Sequence, residues 1–289
     1  MTDPFAAHRR LLFSVAYDIL GSVADAEDVV QETWLRWSAR DRPEVAEPRA
    51  YLIAIASRQA LNRLRAIAAR RESYPGPWLP EPLLTSPDVG AEVAEHAELG
   101  REISLAMLVV LETLSPAERA VFVLREVFGL PHDEIAAIVD RSEAAVRQLA
   151  HRSREHVHAR RPRFAADPAQ HRQITERFLA ACYSGDVHGL LELLAPDVVL
   201  ISDGGGKARA ARRPVLGPDK VARLLVGITS AGLGTLDVRL ASINGQLGVI
   251  AETESKLAIA GAVDVVDGLV SRVYIMANPD KLAWLAADV

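Results

Sequence analysis

The chain is short of the residues that staple small secreted domains and hold metals. It has one cysteine, Cys182, in 289 residues, so no internal disulfide can form, and no Cys/His cluster has metal-ligand spacing; no structural zinc, metal or cofactor is expected. No apolar run is long enough to cross a bilayer, and the N-terminal MTDPFAAHRR lacks the basic-then-apolar layout of a secretory signal. The expectation is a cytoplasmic protein with no membrane partner, monomeric when free. Lysine is absent before Lys207 and histidine after His188. The first absence divides the chain by composition, and the second removes the commonest general acid–base group from most of the C-terminal part.

What is present reads as globular: 49% hydrophobic and 25% charged residues, in a length that suggests about two or three domains. The net charge of −5 hides a segregation of sign. From Asp18 to Glu32 there are five acidic residues and no basic one, from Arg49 to Arg71 six arginines and no acidic one, and from Glu81 to Glu118 acid dominates again. Such blocks imply separate faces for a basic partner and a polyanion.

The stretch LPHDEIAAIVDRSEAAVRQLAHRSREHVHAR, from Leu130, reads as two helices and a tight turn. Ile135, Ala136 and Val139 recur at helical spacing, with Asp133 and Glu134 in the first turn, where the helix dipole favours carboxylates. Ser142 is a candidate N-cap, and Val146 and Ala150 continue the buried side. Arg147, Gln148, His151, Arg152 and Arg154 are left facing outward, with Arg141 at the turn. Six arginines against Glu143 and Glu155 between Arg141 and Arg161 suit duplex DNA. Taken alone, an Arg-rich helix is more often a solvated surface; the short helix and the cap before it favour a helix-turn-helix.

Residues Arg9 to Trp37 read as two helices broken near Gly21, the second capped by Asp25 and burying Val29, Val30, Trp34 and Leu35. Glu27, Asp28, Gln31 and Glu32 line the other side of that helix. Pro48 opens a third helix with Leu52, Ile55, Ala56, Leu61 and Leu64 inward and Arg58, Asn62, Arg63, Arg65, Arg70 and Arg71 outward. Arginines beside Tyr51 suit a single strand, whose backbone they track and whose base the ring stacks. A proline-stiffened linker follows, with Pro75, Pro77, Pro80, Pro82 and Pro87 around Trp78 and Leu79, apolar residues that call for a docking place.

DAEDVVQETWLRW, the PRAYL helix and LSPAERAVFVLREVFGLPHDEIAAIVDRSEAAVRQLAHRSREHV together resemble bacterial sigma factors of the extracytoplasmic-function group. The resemblance implies that Asp25, Glu27, Asp28, Gln31 and Glu32 contact the RNA polymerase core. It implies that Arg58, Asn62, Arg63 and Arg65 lie at the −10 promoter element, and that Arg141, Ser142, Arg147, Gln148, His151, Arg152 and Arg154 lie at the −35 element. Arg58 stands where many such factors carry asparagine, so the captured base does not follow.

A new domain is expected near Pro168: two helices, ITERFLAACYSGD and VHGLLELLA, then strand-like runs DVVLISD, TLDVRLASI, GVIAETE, SKLAIAGAVDVV and LVSRVYIMA with turns at Asn244-Gly245 and Asp267-Gly268. This order predicts an α+β domain with a curved antiparallel sheet and resembles the SnoaL-like, NTF2-type cone. The strings WLPEP, DGGGK and NPDKL sharpen the resemblance to sigma factors with a fused SnoaL-like domain, in which that domain regulates the sigma part. Trp78, Leu79, Pro80, Asp203, Gly204, Gly205, Gly206, Lys207, Asn278, Pro279, Asp280, Lys281 and Leu282 would then be interdomain regulatory residues. The Asp203–Lys207 turn is expected at the mouth of the cone, with Leu282 and Trp284 anchoring the tail on apolar surface.

The whole is therefore multidomain. Two all-α sigma domains, 1–73 and 104–163, flank a 74–103 linker and precede a cone at 168–289. Gly-Gly-Gly-Lys is not a phosphate loop, since Ala208 follows where Ser or Thr is needed. Asp203 shows no acid–base partner in the sequence, so a catalytic cone ranks below a regulatory or ligand-sensing one. The competing reading is a small-molecule-binding or cyclase-like enzyme of SnoaL type attached to a DNA-binding domain; it requires turnover, whereas the sigma-factor reading requires promoter-specific transcription with core enzyme.

Overall fold

A computed structural model describes residues 3–39, 45, 47–71, 74–85, 103–160, 167–230, 237–253 and 256–285. They form two compact units, one of Met1–Glu72, Val89–Ile103 and Met107–Arg161, the other of Ser73–Asp88, Ser104–Ala106 and Pro162–Val289. The side chains of Arg70 and Arg71, and all of Pro87 and Arg161, lie outside the described residues.

The first unit is helical. Helix α1 (Pro4–Leu20) begins where the Asp3 carboxylate accepts the Phe5 N–H at 3.0 Å and stops at Gly21, whose φ of 68° reverses the chain. Helix α2 (Val23–Ser38) is capped by Ser22, whose hydroxyl oxygen accepts the Asp25 N–H at 3.2 Å. Asp25 therefore sits in the first turn and is not the cap. Ser22, next to the Gly21 reversal, has the extended backbone that a cap needs. Helix α3 (Pro48–Arg71) buries Leu52, Ala56, Leu61 and Leu64 as expected, with Ile53 more buried than Ile55. Next come α4 (Leu105–Leu111), α5 (Pro116–Phe122) behind a Ser115/Glu118 capping box, and a π-helical turn over Val123–Val127. Helices α6 (His132–Val139) and α7 (Glu143–Arg160) are the expected helix-turn-helix. Asp140, at φ 56°, ends α6; the Ser142 hydroxyl accepts the Ala145 N–H at 3.3 Å; and Ile135 and Val146 are fully buried between the two helices.

The second unit is α+β. Asp167 caps α8 (Pro168–Ser184), and α9 (Val187–Leu193) runs straight into β1 (Leu194–Asp203). A short β2 (Val215–Leu216) and α10 (Pro218–Ser230) precede β3 (Asp237–Ile243), β4 (Gln246–Thr253), β5 (Lys256–Val266) and β6 (Leu269–Met276), and α11 (Pro279–Leu282) closes the described chain. The sheet order is β2-β1-β6-β5-β4-β3. Both turn residues of Asn244-Gly245 and Asp267-Gly268 have positive φ, the requirement of the two-residue hairpins expected there. The sheet is mixed and not wholly antiparallel: β1 lies parallel to β6, with Leu200 opposite Val273. The long excursion through α10 and the meander allows that pairing. Phe178, Leu190, Val198, Val221 and Val270 centre the core. A cavity of about 100 Å³ remains between α8, α10 and β4 to β6, which at ~24 cal/mol per Å³ costs about 2 kcal/mol.

The start of the expected linker is not a free connector. Leu84 forms an antiparallel bridge to Ile243, the Thr85 N–H donates to Ser242 O at 2.9 Å, and the Asn244 N–H donates to Leu83 O at 2.9 Å. Strand β3 ends the sheet and would otherwise show a row of unpaired backbone groups. An extended, proline-rich segment, fit only for an edge, satisfies them.

Candidate functional site

On α7 the structure leaves Arg147, Gln148, His151, Arg152 and Arg154 exposed, with Arg141 and Ser142 at the turn before them. Two of these arginines already have partners. Arg147 reaches Glu143 one turn back at 2.5 Å, and Arg154 pairs with Glu126 of the π-helical turn at 2.6 Å. On α3, Asn62 and Arg65 are exposed and bonded to one another at 3.2 Å. Arg58 donates to the Ala137 carbonyl on α6 at 2.7 Å, and Arg63 turns to α2, where Asp25 and Asp28 accept from it at 2.6 and 2.5 Å. Tyr51 is half-buried and packs against Trp37 with ring centroids 6.2 Å apart.

Helix α2 presents a mixed face. Asp28, Gln31 and Glu32 are exposed, Asp25 and Glu27 are half-buried, and Glu27 accepts from Arg9 at 2.6 Å. Trp34 and Leu35 are 45% and 57% exposed, against the expectation that they pack inward. Thr33 takes the inward position, its hydroxyl donating to Val29 O at 2.7 Å while Gln59 donates to it at 3.0 Å. Two large apolar side chains in water beside a row of carboxylates mark a surface built for a partner.

The second unit contains a buried polar centre around Asp203, the last residue of β1. Asp203 is fully buried, not at an open mouth. One carboxylate oxygen accepts from the Tyr74 hydroxyl at 2.6 Å and the Gly205 N–H at 3.0 Å; the other accepts from Lys281 Nζ at 2.7 Å and the Leu79 N–H at 3.0 Å. Its backbone oxygen accepts the N–H groups of Ala277 and Asn278. Lys281, 3% exposed, also donates to Leu79 O at 2.5 Å and stands 3.1 Å above the Trp78 ring, a cation–π contact. Asn278 donates to Tyr74 Oη at 2.9 Å and caps α11 by accepting the Asp280 N–H. Burial, with the Asp203 carboxylate second, pushes the Tyr74 phenol well above its usual value. A side chain at Gly205, where φ is 59°, would collide with the Asn278 amide, and one at Gly206 would meet the Pro75 ring. The glycine run is thus the close-approach surface for both linker and tail.

Most of the WLPEP, DGGGK and NPDKL residues meet in this centre. Lys207 stays exposed, paired with Asp280 at 2.6 Å. Leu282 is buried as expected, but Trp284 is 41% exposed and Leu285 takes the anchoring position. Both Asp203 oxygens are spent on four donors, an arrangement that fixes chain segments instead of moving a proton. Sequence reasoning passed over Tyr74, whose only signal was an aromatic beside the proline run. It also passed over Arg119 on α5, which is 1% exposed; its guanidinium donates to Asp18 O of α1 at 3.3 Å and to Glu112 at 2.5 Å, and burial pushes its pKa down to about 10. Among the described residues no His/Cys/Asp/Glu group is arranged to hold a metal, and no helix is long and apolar enough to cross a membrane.

Comparison with known proteins places these features. Residues 5–71 match the family described as sigma-70 region 2, and residues 104–157 match sigma-70, region 4. The chain is 42% identical to the ECF RNA polymerase sigma factor SigJ of Mycobacterium tuberculosis, over 96% of this chain and 91% of that one. It is 33% identical to the probable ECF RNA polymerase sigma factor SigI of the same species, over 98% and 95%. The crystal structure of M. tuberculosis SigJ superposes with a TM-score of 0.77, covering 96% of this chain and 98% of that one at 38% identity.

Proposed function

Because the chain belongs to the extracytoplasmic-function sigma factors of RNA polymerase, which direct the core enzyme to promoters, we propose that its SnoaL-like second unit regulates initiation by holding or releasing the linker. In this reading α2 binds the polymerase core through Asp25, Glu27, Asp28, Gln31 and Glu32, with Trp34 and Leu35 as the apolar centre of the contact. Helix α3 meets the −10 element and α7 the −35 element, where Arg152 and Gln148 face the groove. The protein acts in the cytoplasm beside the polymerase, and the cone regulates without catalysing a reaction.

The observation that carries the regulatory reading is the Asp203–Lys281 centre, which fixes Tyr74 to Leu79 of the linker. The other end of the linker is held too, since Leu105 borders the same pocket as Leu79 and Pro82. Elements centred about 25 base pairs apart lie roughly 85 Å apart at about 3.4 Å per pair. A connector seated at both ends cannot follow its two DNA-reading modules to that separation, whereas freed and extended between Arg71 and Leu105 it reaches roughly 110 Å. Linked modules bind together only when their spacing fits both sites, so the seat controls avidity without altering either DNA-reading surface.

Run-off transcription from one promoter, with full-length chain, Lys281→Met, a truncation before Asn278 and a truncation before Pro168 at equal concentration, tests this. Loss of Lys281 or of the tail is expected to raise transcript yield. Removal of the whole domain is expected to lower yield, since the domain also supports the active arrangement. Equal yield from all four folded proteins makes the cone a passenger, and turnover of a small molecule by the cone would favour the enzyme reading.

A further inference from the structure

The cavity between α8, α10 and the sheet plays no part in the seating of the linker just described. Phe178 and Cys182 line it from α8, Leu225 from α10, and Val249, Val263 and Val273 from the strands. The surrounding core is tight, with Leu190, Val198, Val221 and Val270 all fully buried, so the void is local and not general looseness. Protein interiors leave few gaps larger than a water molecule, and an apolar gap stays dry and takes up small hydrocarbons. The wall offers little to a polar ligand. The Thr175 hydroxyl is turned back to His171 O at 2.7 Å and that of Thr229 to Val226 O at 2.9 Å. Burial pushes the Cys182 thiol up to about 12 and the Tyr274 phenol well above its usual value, so both stay neutral.

The same strands carry the linker. Gly261 and Tyr274 border both this cavity and the pocket that holds Leu79, Pro80 and Pro82, where only about 10 Å³ is left unfilled. The wall is thin there: a side chain on Gly248 would strike the Gly261 carbonyl and Ile243, the residue that bridges Leu84 of the linker. Anything that enters the cavity therefore presses on backbone that carries the linker.

We propose that this cavity binds a compact, uncharged, apolar molecule, the size of one aromatic ring or a short alkyl chain, and that its occupancy changes how firmly Leu79 to Thr85 are seated. The consequence for transcription rests on the linker-release reading above; the binding and the seating are measured without a promoter.

The full chain is titrated with toluene and, as a charged counterpart, benzoate. Toluene raises the melting temperature saturably by a few degrees and benzoate does not. Cys182→Leu and Thr229→Leu, which fill the void from different helices, abolish the toluene response. Amide hydrogen exchange at Leu79, Leu83 and Thr85, whose N–H groups donate to Asp203, Asn244 and Ser242, changes several-fold with toluene in the wild type and not in whichever filled variant folds. Absence of a saturable response, an equal response to benzoate, or a response that survives in both filled variants overturns the site. Toluene binding with unchanged exchange at all three amides overturns the coupling. Either result leaves the run-off comparison of Lys281→Met standing or falling by itself.

Discussion

A single buried ion pair holds three distant segments of the second unit, and its energetics follow from burial. Lys281 and Asp203 are 3% and 0% exposed, so removing one leaves the other charged and dry, at a cost of about 3–5 kcal/mol. Lys281→Met should lower unfolding free energy in urea by that amount, whereas the double substitution Asp203→Asn with Lys281→Met should cost less than Lys281→Met alone, because no charge is then stranded. Cys182 gives a pH test. Its thiol is raised by burial from its usual range to about 12 in the folded chain. Its contribution to stability is therefore complete below about pH 8.5, where unfolded thiol is also neutral, and is lost as pH rises toward 12. Between pH 9 and 10 the wild type should lose roughly 1 kcal/mol more than Cys182→Val does, read from urea melts at each pH. The same burial makes Cys182 slow to react with thiol reagents while the cone is closed.

The helices show where local signals suffice. Ser142, Gly21 and the apolar spacing of α6 and α7 gave the helix-turn-helix because caps and period are properties of neighbouring residues. Trp34 and Leu35 misled for the opposite reason. Hydrophobicity reports a need for cover, and the cover can be another molecule. Replacing either with Ser should leave the melting temperature within a degree or two of wild type, since both are already wet, and should weaken association with polymerase core at least tenfold in a pull-down titration. Asp28→Arg should do the same; its side chain is 54% exposed, so the ion pair with Arg63 contributes under about 1 kcal/mol. On α7, Arg152→Ala should cost about 1 to 3 kcal/mol of promoter-fragment binding at fixed salt if it makes a bidentate base contact. The parallel β1–β6 pair and helix α10 were not foreseen, because strand order is set by long-range packing that no period encodes. The Asp203 centre is of the same kind. Tyr74, Leu79, Asp203, Asn278 and Lys281 converge from three parts of the chain, and the strings that mark them showed that they matter without showing that they meet.

At the scale of the whole molecule, the first unit joins two DNA-reading modules that promoter binding must separate. Arg58 donates to Ala137 O, and Arg119 spans α5 to the Asp18 carbonyl, in a unit whose size limits it to roughly 40 Å across. Fluorophores at Ala7→Cys and Glu155→Cys, in a Cys182→Ala background, should transfer energy efficiently in the free chain and far less once core enzyme and promoter are added; unchanged transfer would mean that the modules read DNA without parting. The linker's place on β3 adds a hazard to that opening. When Leu83 to Thr85 leave, the Ser242 carbonyl and Asn244 N–H lose their partners, and the cone is left with a bare strand edge, a template on which the same segment of a neighbouring molecule can lie down. A released sigma factor that fails to reach polymerase is then prone to exchange linkers with another copy, so the protein's activation and its tendency to self-associate share one trigger.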